Sequence, residues 1–416
     1  MAKKKEVGGV KINDEGVSEV KEVKKKDSKE KKDVKVTTPG EPGKISEFFN
    51  HLIAYGGFNF NNGVMLVWGD PSLFIPMDAF VYLFHELEEK FGKDQAHEIF
   101  YWLGRLYGKN STLMLIKRFG ADKSNIPEFV NGATQDGMGY LRIKQYDKER
   151  LTSGEVIGTN SIFALDYKKE YGEQKLPIDF YLSGMLAAGT EPLFDIWIKV
   201  SEKKCMVSGE DSCLYFFEQV KEQPKFNFFN KLKIKEEEML KKTFLLALKR
   251  KTSFSFFKRK DIKFGDGGFN LKGFQGINLP IYGKVILDRV LKELINKSDL
   301  DLIYNSFGNK SIESIEKNIL KKELRDILKE LEIFGYGKFD IKMAGTKKVI
   351  ISNPNNPYPE DYIQIFGRSK EPVDSFVCLL IKEALRINNR KAEVKELNCR
   401  AKGDKECIFE ITFSQS

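Results

Sequence analysis

The 416-residue sequence contains little cysteine and no long apolar segment. Five cysteines in so long a chain do not form the dense disulfide framework of small secreted domains. No apolar run approaches the roughly 20 residues of a membrane-spanning helix, and no basic segment followed by an apolar one opens the chain. These absences predict a cytoplasmic protein without a transmembrane segment, whose paired cysteines are reduced core residues or metal ligands.

Recognisable catalytic motifs are also missing. No P-loop, G-x-S-x-G or dinucleotide-binding glycine motif follows a predicted strand at the required spacing. The chain has only three histidines, His51, His85 and His97, and a lone histidine on a predicted helix usually has a structural role. Without a base, nucleophile or cofactor motif, the sequence favours a protein that is not an enzyme.

Charge is concentrated in one segment. The net charge is +9, and residues 221–263 alone carry fourteen Lys and Arg against five Asp and Glu. We predict a basic, partly helical linker there, which binds nucleic acid, an anionic membrane or an acidic partner, or else packs one apolar stripe on a neighbouring domain. The predicted stripe consists of Leu240, Phe244, Leu245 and Leu248.

The first 44 residues form a second lysine-rich segment. They carry thirteen Lys, nine acidic residues and no aromatic residue. Such a composition buries too little apolar area to offset the entropy of ordering, so residues 1–44 are predicted to be a disordered tail. A flexible tail is the simpler interpretation, and a nucleic-acid-binding arm is the alternative.

An internal repeat covers most of the chain. The segment "IPMDAFVYLF…EIFYWLG" from Ile75 matches "LPIYGKVILD…LIYNSFG" from Leu279, with 28 positions between proline and final glycine in both. Further along, "GMGYLRIK" matches "GYGKFDIK", and "YGEQKLPIDFY" matches "FGRSKEPVDSF". The matching segments occur in the same order and are separated by a nearly constant number of residues, which indicates two copies of one domain. We predict domains at 56–220 and 264–416.

Each copy has the pattern of an α+β domain. After the proline, apolar residues recur at helical spacing, a Gly-x-Gly turn then opens a strand region, and a second helical segment precedes a final β-hairpin. The apolar helical positions are Phe80, Leu83, Phe84, Leu87 and Phe91 in the first copy, and Val285, Leu287, Val290, Leu291 and Leu294 in the second.

Two cysteines bracket each predicted hairpin. The stretch "EKKCMVSGEDSCLYF" from Glu202 and the stretch "ELNCRAKGDKECIFE" from Glu396 share one spacing of Glu, Cys, Gly and Cys. In an ideal strand, a Glu three residues before a Cys lies on the opposite face. For the Glu and both thiols to meet, the strand must contain a bulge or bend at "KK" or "LN".

This pattern leaves three interpretations open. Two thiolates and two carboxylates make a tetrahedral zinc site, if an acid at the start of the preceding helix supplies the fourth ligand. Alternatively the cysteines are small buried hydrophobic residues, or they form a disulfide across the hairpin, which the inferred compartment disfavours. The candidate ligands are Asp179, Glu202, Cys205 and Cys213 in the first copy, and Asp374, Glu396, Cys399 and Cys407 in the second.

The spacing C-x3-G-x3-C, the Glu three residues upstream and the segment "LPIDFYLSG" resemble the 4-vinyl reductase domain. That family is widespread in archaea, and it is similar to sensor domains of bacterial activators that bind aromatic effectors. It is more distantly similar to haem-based nitric-oxide-binding and TRAPP vesicle-tethering folds. The resemblance covers roughly 56–220 and 264–416.

The resemblance implies four zinc ligands: a Cys at a helix start, the Glu and both hairpin Cys. This chain departs from the pattern, because Asp179 and Asp374 stand at the helix starts. The family's following glycine is present as Gly184, but its counterpart is Leu379, which predicts an altered second pocket. The adjacent Cys378 is predicted to be a core residue.

The resemblance also implies a function. We expect a non-catalytic tandem sensor for a hydrophobic or tetrapyrrole-like small molecule, with one zinc per domain and the two copies paired as a pseudo-dimer. Two alternatives remain open: a structural subunit of a larger cytoplasmic complex, and an accessory protein or enzyme of tetrapyrrole metabolism.

Overall fold

The computed structural model describes residues 11–12, 18–19, 58–67, 70–232, 235–249, 262–265, 268–271 and 274–414. The chain divides into a small unit, Met1–Phe48, and a large unit, Phe49–Ser416. The described part of the small unit is a pair of short antiparallel strands, β1 (Lys11–Ile12) and β2 (Ser18–Glu19). The rest of the predicted disordered tail lies outside the described residues.

The large unit contains the same series of elements twice, which we call the first and second halves. The first half comprises β3 (Phe58–Asn61), β4 (Val64–Val67), β5 (Asp70–Pro76), α1 (Met77–Phe91), α2 (Lys93–Phe119), α3 (Ile126–Gln135), β6 (Tyr140–Tyr146), β7 (Ser153–Thr159), α4 (Ile162–Tyr171), α5 (Phe180–Phe194), β8 (Trp197–Lys204) and β9 (Cys213–Val220). Helices α6 (Asn227–Leu232) and α7 (Glu236–Lys249) follow.

The second half repeats this order with one additional short helix. It comprises β10 (Ile262–Gly265), β11 (Gly268–Leu271), β12 (Phe274–Pro280), α8 (Ile281–Leu294), α9 (Lys297–Ser314), α10 (Glu316–Ile319), α11 (Leu324–Ile333), β13 (Asp340–Ala344), β14 (Lys348–Asn353), α12 (Pro357–Phe366), α13 (Ser375–Ile387), β15 (Ala392–Asn398) and β16 (Cys407–Phe413). The predicted fold class, helices with antiparallel sheets that end in Cys-bearing hairpins, is confirmed. The predicted domain boundaries remain predictions.

One sheet joins the two halves. Strands β5 and β12 pair antiparallel, with Ile75 opposite Ile277, so that the six strands run in the order β10-β11-β12-β5-β4-β3. Each half also has its own four-stranded sheet, in the equivalent orders β6-β7-β9-β8 and β13-β14-β16-β15. The apolar residues of β5 and β12 are buried, because helices cover this central part of the shared sheet. No described helix has the length and apolar character of a membrane span.

The Gly-x-Gly segments lie where each half contacts a strand of the other. Gly137 and Gly335 have φ angles of 93° and 96°, in the left-handed region that favours glycine. A Cβ atom on Gly137 would lie 2.2 Å from the carbonyl oxygen of Gly276, and one on Gly335 would lie 2.4 Å from that of Ser72. The predicted turns are therefore also close contacts between the halves.

The two halves differ in how tightly their main helices pack. In the first half, a Cβ atom on Gly104 of α2 would lie 1.9 Å from the carbonyl oxygen of Tyr181, and one on Gly184 of α5 would lie 1.8 Å from that of Tyr101. In the second half, Gly308 occupies the position of Gly104, but its nearest neighbour would be the Leu379 side chain at 3.6 Å. Helices α2 and α5 thus meet backbone to backbone, whereas a leucine side chain intervenes between α9 and α13.

This difference predicts opposite effects of one substitution at two equivalent glycines. We expect Gly104→Ala to lower the free energy of unfolding by about 1–3 kcal/mol or more, because the added methyl group forces α2 and α5 apart. The matched Gly308→Ala has space and should be neutral or stabilise by up to about 1 kcal/mol. Urea denaturation of both variants checks this, and equal losses would contradict the packing described here.

Helix α7 of the basic segment packs against both halves. Asn110 of α2 donates a hydrogen bond to the Thr243 hydroxyl (2.8 Å), and the Lys242 ammonium donates to the Ile365 carbonyl of α12 (3.0 Å). The predicted helix is present, but its predicted apolar stripe is wrong in part, because Leu245 is exposed while Met239, Thr243 and Leu246 are buried. Residues 250–261 of the segment lie outside the described residues.

A buried carboxyl group lies between the halves. Asp136 accepts a hydrogen bond from the Tyr107 hydroxyl (2.8 Å) and contacts the Asn278 side chain of β12. Burial raises the pKa of Asp136 to about 7. The folded state therefore holds this proton more tightly than the unfolded chain, whose Asp pKa is about 3.9.

The raised pKa predicts a pH-dependent loss of stability. The contribution of Asp136 is complete below about pH 4 and is lost as the pH rises through about 7, at up to roughly 1.4 kcal/mol per pH unit. Asp136→Asn keeps an acceptor for Tyr107. We expect the free energy of unfolding of this variant to decline less steeply between pH 4.5 and 6.5 than that of the unsubstituted protein. Denaturation midpoints across this range measure the difference, and parallel curves for the two proteins would refute it.

Candidate metal centres and an adjoining cavity

The two Cys-bearing hairpins have the same local geometry. After β8, residues Met206–Ser208 form a 3-10 turn that ends at Gly209 with φ 86°. The strand pairing shifts register between Glu202 and Lys204, and in the second half between Glu396 and Asn398. The bulge that the sequence requires at "KK" and "LN" is therefore confirmed, and it turns each Glu towards the face that carries the thiols.

Three predicted ligands meet in each half. One side-chain donor atom from each of Glu202, Cys205 and Cys213 lies within 4.8 Å of the other two, and the same holds for the second-half group of Glu396, Cys399 and Cys407. The Sγ atoms of Cys205 and Cys213 are 3.9 Å apart, and all four hairpin thiols are free and buried. We call these groups the Glu-Cys-Cys centres.

The residue at the helix start holds each Glu in place. The backbone N–H of Asp179 donates to Oε2 of Glu202 (2.9 Å), and that of Asp374 donates to Oε2 of Glu396 (3.1 Å). The other carboxylate oxygen, Oε1, is buried in both residues and has no hydrogen-bond partner among the described residues. A buried polar atom normally has a partner, so each orphaned oxygen is suited to coordinate a cation.

The Asp carboxylates themselves make other contacts. Asp179 is the N-cap of α5 and accepts from the Leu182 N–H through Oδ1 and from the Tyr215 hydroxyl through Oδ2. Asp374 caps α13 in the same way and accepts from the Asn356 side chain (2.7 Å). Neither Asp belongs to the three-residue donor groups, so its role as fourth ligand remains a prediction.

The centres concentrate buried acidic groups. Burial, and then the Cys205 charge, raises the pKa of Asp179 to about 7, and burial raises the pKa of Glu396 to about 8. Within each pair of thiols, the hydrogen bond between them lowers the pKa of Cys205 and of Cys399 to about 6. A divalent cation would relieve this crowding, and two thiols with a carboxylate are ligands that Zn²⁺ accepts.

In the first half, four phenylalanines pack together in the core. Each α1 ring contacts the rings of α2 and α4, with these four centroid distances between 4.8 and 6.0 Å. We call Phe80, Phe84, Phe100 and Phe163 the phenylalanine quartet. They occupy the fourth and eighth residues of α1, the eighth of α2 and the second of α4.

The same four helix positions in the second half carry polar residues. We call Lys284, Asp288, Tyr304 and Tyr358 the polar quartet, and all four are buried. The Asp288 carboxylate accepts from the Lys284 ammonium (2.6 and 2.7 Å) and from the hydroxyl groups of Tyr304 and Tyr358 (2.6 and 2.5 Å). The Lys284 ammonium also lies 4.5 Å from the centroid of the Phe376 ring.

A small cavity adjoins the polar quartet. Its volume is about 10 Å³, and its walls include Lys284, Tyr336, Asn356 and Asp374 together with Leu73 of the first half. A cleft of about 320 Å³ shares the wall residues Asn356 and Pro357 with this cavity and opens between the halves. We call the two spaces the inner cavity and the outer cleft.

Sequence analysis missed this cavity, although a signal was present. Aligning the two copies places Lys284 and Asp288 opposite Phe80 and Phe84, in the middle of an otherwise apolar helix face. The prediction of an altered second pocket rested on Leu379, which separates α13 from α9. Cys378 is half-buried and packs against the core, as predicted.

The described histidines make contacts within the first half. The His85 ring stacks on Tyr171 with centroids 3.8 Å apart, and its Nδ1 lies 3.3 Å from the Tyr167 hydroxyl. Nε2 of His97 lies 2.7 Å from Oε1 of Glu88. These contacts agree with the structural role that the sequence suggests, while His51 lies outside the described residues.

Comparison with known proteins gives weak similarities. No protein-family model matches the chain. The uncharacterized protein MJ1460 of Methanocaldococcus jannaschii is 26% identical over 148 residues, which cover 34% of this chain and 83% of that protein. The chain is therefore weakly homologous to that protein.

Three solved structures show distant likeness. The phenol-responsive sensory domain of the transcription activator PoxR, solved with phenol, is 14% identical, covers 49% of this chain and 98% of its own, and has a TM-score of 0.38. A vinyl-4-reductase family protein from Methanocaldococcus jannaschii is 18% identical, with coverages of 29% and 68% and a TM-score of 0.21. A trafficking protein particle complex subunit 3 from Naegleria fowleri, covalently bound to palmitic acid, is 12% identical, with coverages of 36% and 98% and a TM-score of 0.26. Scores this low define neither fold nor function here.

The paired centres predict a metal stoichiometry. We expect elemental analysis of the purified chain to find two zinc ions, and one after either Cys213→Ser or Cys407→Ser, because each substitution removes a thiolate from one centre. If no zinc is found, the hairpin cysteines are core residues and not metal ligands.

A separate variant tests the fourth position. Loss of one zinc from Asp179→Asn would support the predicted ligand role of that residue. Retention of both would assign Asp179 to capping α5 and holding Glu202, since asparagine is also a good N-cap.

Proposed function

We propose that this chain is a cytoplasmic, non-catalytic sensor module that binds a small hydrophobic molecule and carries one zinc ion in each half. The observation that carries the proposal is the inner cavity, because one of its walls is Asp374, whose N–H holds Glu396 of the second centre. A ligand in this space contacts the residue that positions a metal ligand. Binding and the state of the centre are thereby connected.

The zinc part of the proposal is supported by the donor sets. Each centre offers two thiols and an orphaned carboxylate oxygen within 4.8 Å. Zinc held by Glu202, Cys205 and Cys213, and by the equivalent second-half residues, would cross-link the two strands of a hairpin to each other. Such a cross-link would stabilise the hairpin, because the free energy of metal binding adds to that of folding.

The volumes of the outer cleft and the inner cavity limit the size of the ligand. The outer cleft, at about 320 Å³, is within the range of sites that hold small molecules, roughly 300–1,000 Å³. The inner cavity admits only a single water-sized group. These dimensions favour a compact ligand over a tetrapyrrole.

The proposal predicts that small apolar compounds stabilise the zinc-loaded chain. At about ten times its Kd, a ligand should raise the thermal unfolding midpoint by about 2–4 °C, because it binds the folded state alone. Differential scanning fluorimetry with a panel of small aromatic and aliphatic compounds measures the shift. No shift with any compound, or turnover of one by the purified chain, would contradict a non-catalytic sensor.

A further inference from the structure

We propose that only the second half binds the ligand, and that it selects a small neutral molecule carrying a hydroxyl group. On this proposal the hydroxyl oxygen enters the inner cavity beside Lys284 and Tyr336, and the apolar body lies in the outer cleft. The inference rests on the proposed function. It adds which half binds the ligand, which residues contact the ligand and to which chemical class the ligand belongs.

The polar quartet is not needed to fill the core. The first half shows that four phenylalanines fill the same helix positions, and replacing a buried ion pair by apolar residues of similar volume is often neutral or stabilising. Burying the Lys284 ammonium and the Asp288 carboxylate costs desolvation free energy that the first half avoids at the equivalent positions. A recognition role explains why one half retains them.

The inner cavity presents donors that the protein leaves unused. Two N–H groups of the Lys284 ammonium face the two oxygens of Asp288, so a third remains without an acceptor among the described residues. The Tyr336 hydroxyl also makes no hydrogen bond with a described side chain, and both residues line the cavity. A ligand oxygen at this position would accept from both groups.

The charges around the cavity favour a neutral ligand over an anion. The Lys284 charge is already balanced by Asp288, and the Asp374 carboxyl group forms another part of the wall. A second carboxylate here would be buried without a counter-charge, which is unfavourable. A hydroxyl group avoids that cost, since it accepts from Lys284 and Tyr336 and donates its own hydrogen to Asp374.

The first half supplies part of this site. Leu73 of β5 lines the inner cavity, and the outer cleft has one wall from the first half, formed by residues of β3, β4 and β5 such as Val64, Leu66 and Pro71. The opposite wall includes Arg400, which donates to the Asn356 carbonyl (3.4 Å) and to Glu360 (2.9 Å). The ligand site is therefore complete only when the halves are paired through β5 and β12.

Fluorine NMR on the full zinc-loaded chain tests the proposal with two probes of similar shape. We expect 4-fluorophenol to bind at one equivalent per chain and at least tenfold more tightly than 1,4-difluorobenzene, which lacks the hydroxyl group. Equal affinities, or two equivalents per chain, would overturn the proposal.

Three variants locate the binding site. The substitution Lys284→Phe/Asp288→Phe/Tyr304→Phe/Tyr358→Phe copies the phenylalanine quartet, leaves no buried charge unpaired and should abolish the preference for the hydroxyl probe. Tyr336→Phe removes one hydroxyl group and should reduce the preference several-fold. The first-half control Tyr181→Phe, at the position equivalent to Phe376, should leave it unchanged.

The outcomes separate this inference from the proposed function. The second-half site is overturned if the hydroxyl preference survives both the fourfold substitution and Tyr336→Phe. It is also overturned if Tyr181→Phe removes that preference. If neither fluorinated probe binds while another compound still raises the unfolding midpoint, this inference fails and the sensor proposal stands. If no compound binds by either measurement, both fail, and the inner cavity holds a resident water only.

Discussion

The pairing of β5 with β12 is the interaction on which the rest of the structure depends. It makes one continuous sheet from two repeats and brings Leu73 of the first half against the core of the second. The same pairing places a strand of each half over the Gly-x-Gly segment of the other, so that neither Gly137 nor Gly335 can carry a side chain. The repeats are consequently one folded unit, in which a space lined by the second half is closed by the first.

Within this shared frame, the two halves differ at equivalent positions. In the first half, glycines bring α2 and α5 into backbone contact and aromatic rings fill the centre of the core. In the second half, Leu379 separates α13 from α9, and the polar quartet occupies the centre. At these four equivalent positions, the first half gains apolar packing, whereas the second half bears the desolvation cost of a buried ion pair.

The sequence predicted the repeated features and the difference at Leu379, but it missed the polar quartet. Helix and strand order, the hairpins and the bulge beside Glu202 follow from local patterns of apolar residues and turn residues, which act over short range. The polar quartet was missed because Lys284 and Asp288 look like ordinary surface residues of an amphipathic helix. Their burial depends on α9, the next helix along the chain, and on α12, whose Tyr358 lies 70 residues beyond Asp288. The exposed Leu245 shows the same limit, since the direction of α7 is set by its contacts with both halves.

The hydrogen bond between Asp374 and Glu396 gives the second centre a physical link to the inner cavity. Asp374 donates to Glu396 through its backbone and accepts from Asn356 through its carboxylate, and Asn356 forms part of the wall between the cavity and the cleft. On the proposed function, a ligand that displaced Asn356 would remove a hydrogen bond from Asp374, whose N–H positions Glu396. Coupling of this kind is reciprocal, so a metal ion that fixed Glu396 would in turn bias the same wall. In the first half the equivalent Asp179 accepts from Tyr215 and Ser161, and the rings of the phenylalanine quartet take the place of the cavity. On the proposed function, the same Glu-Cys-Cys geometry would therefore be purely structural in the first half and responsive in the second.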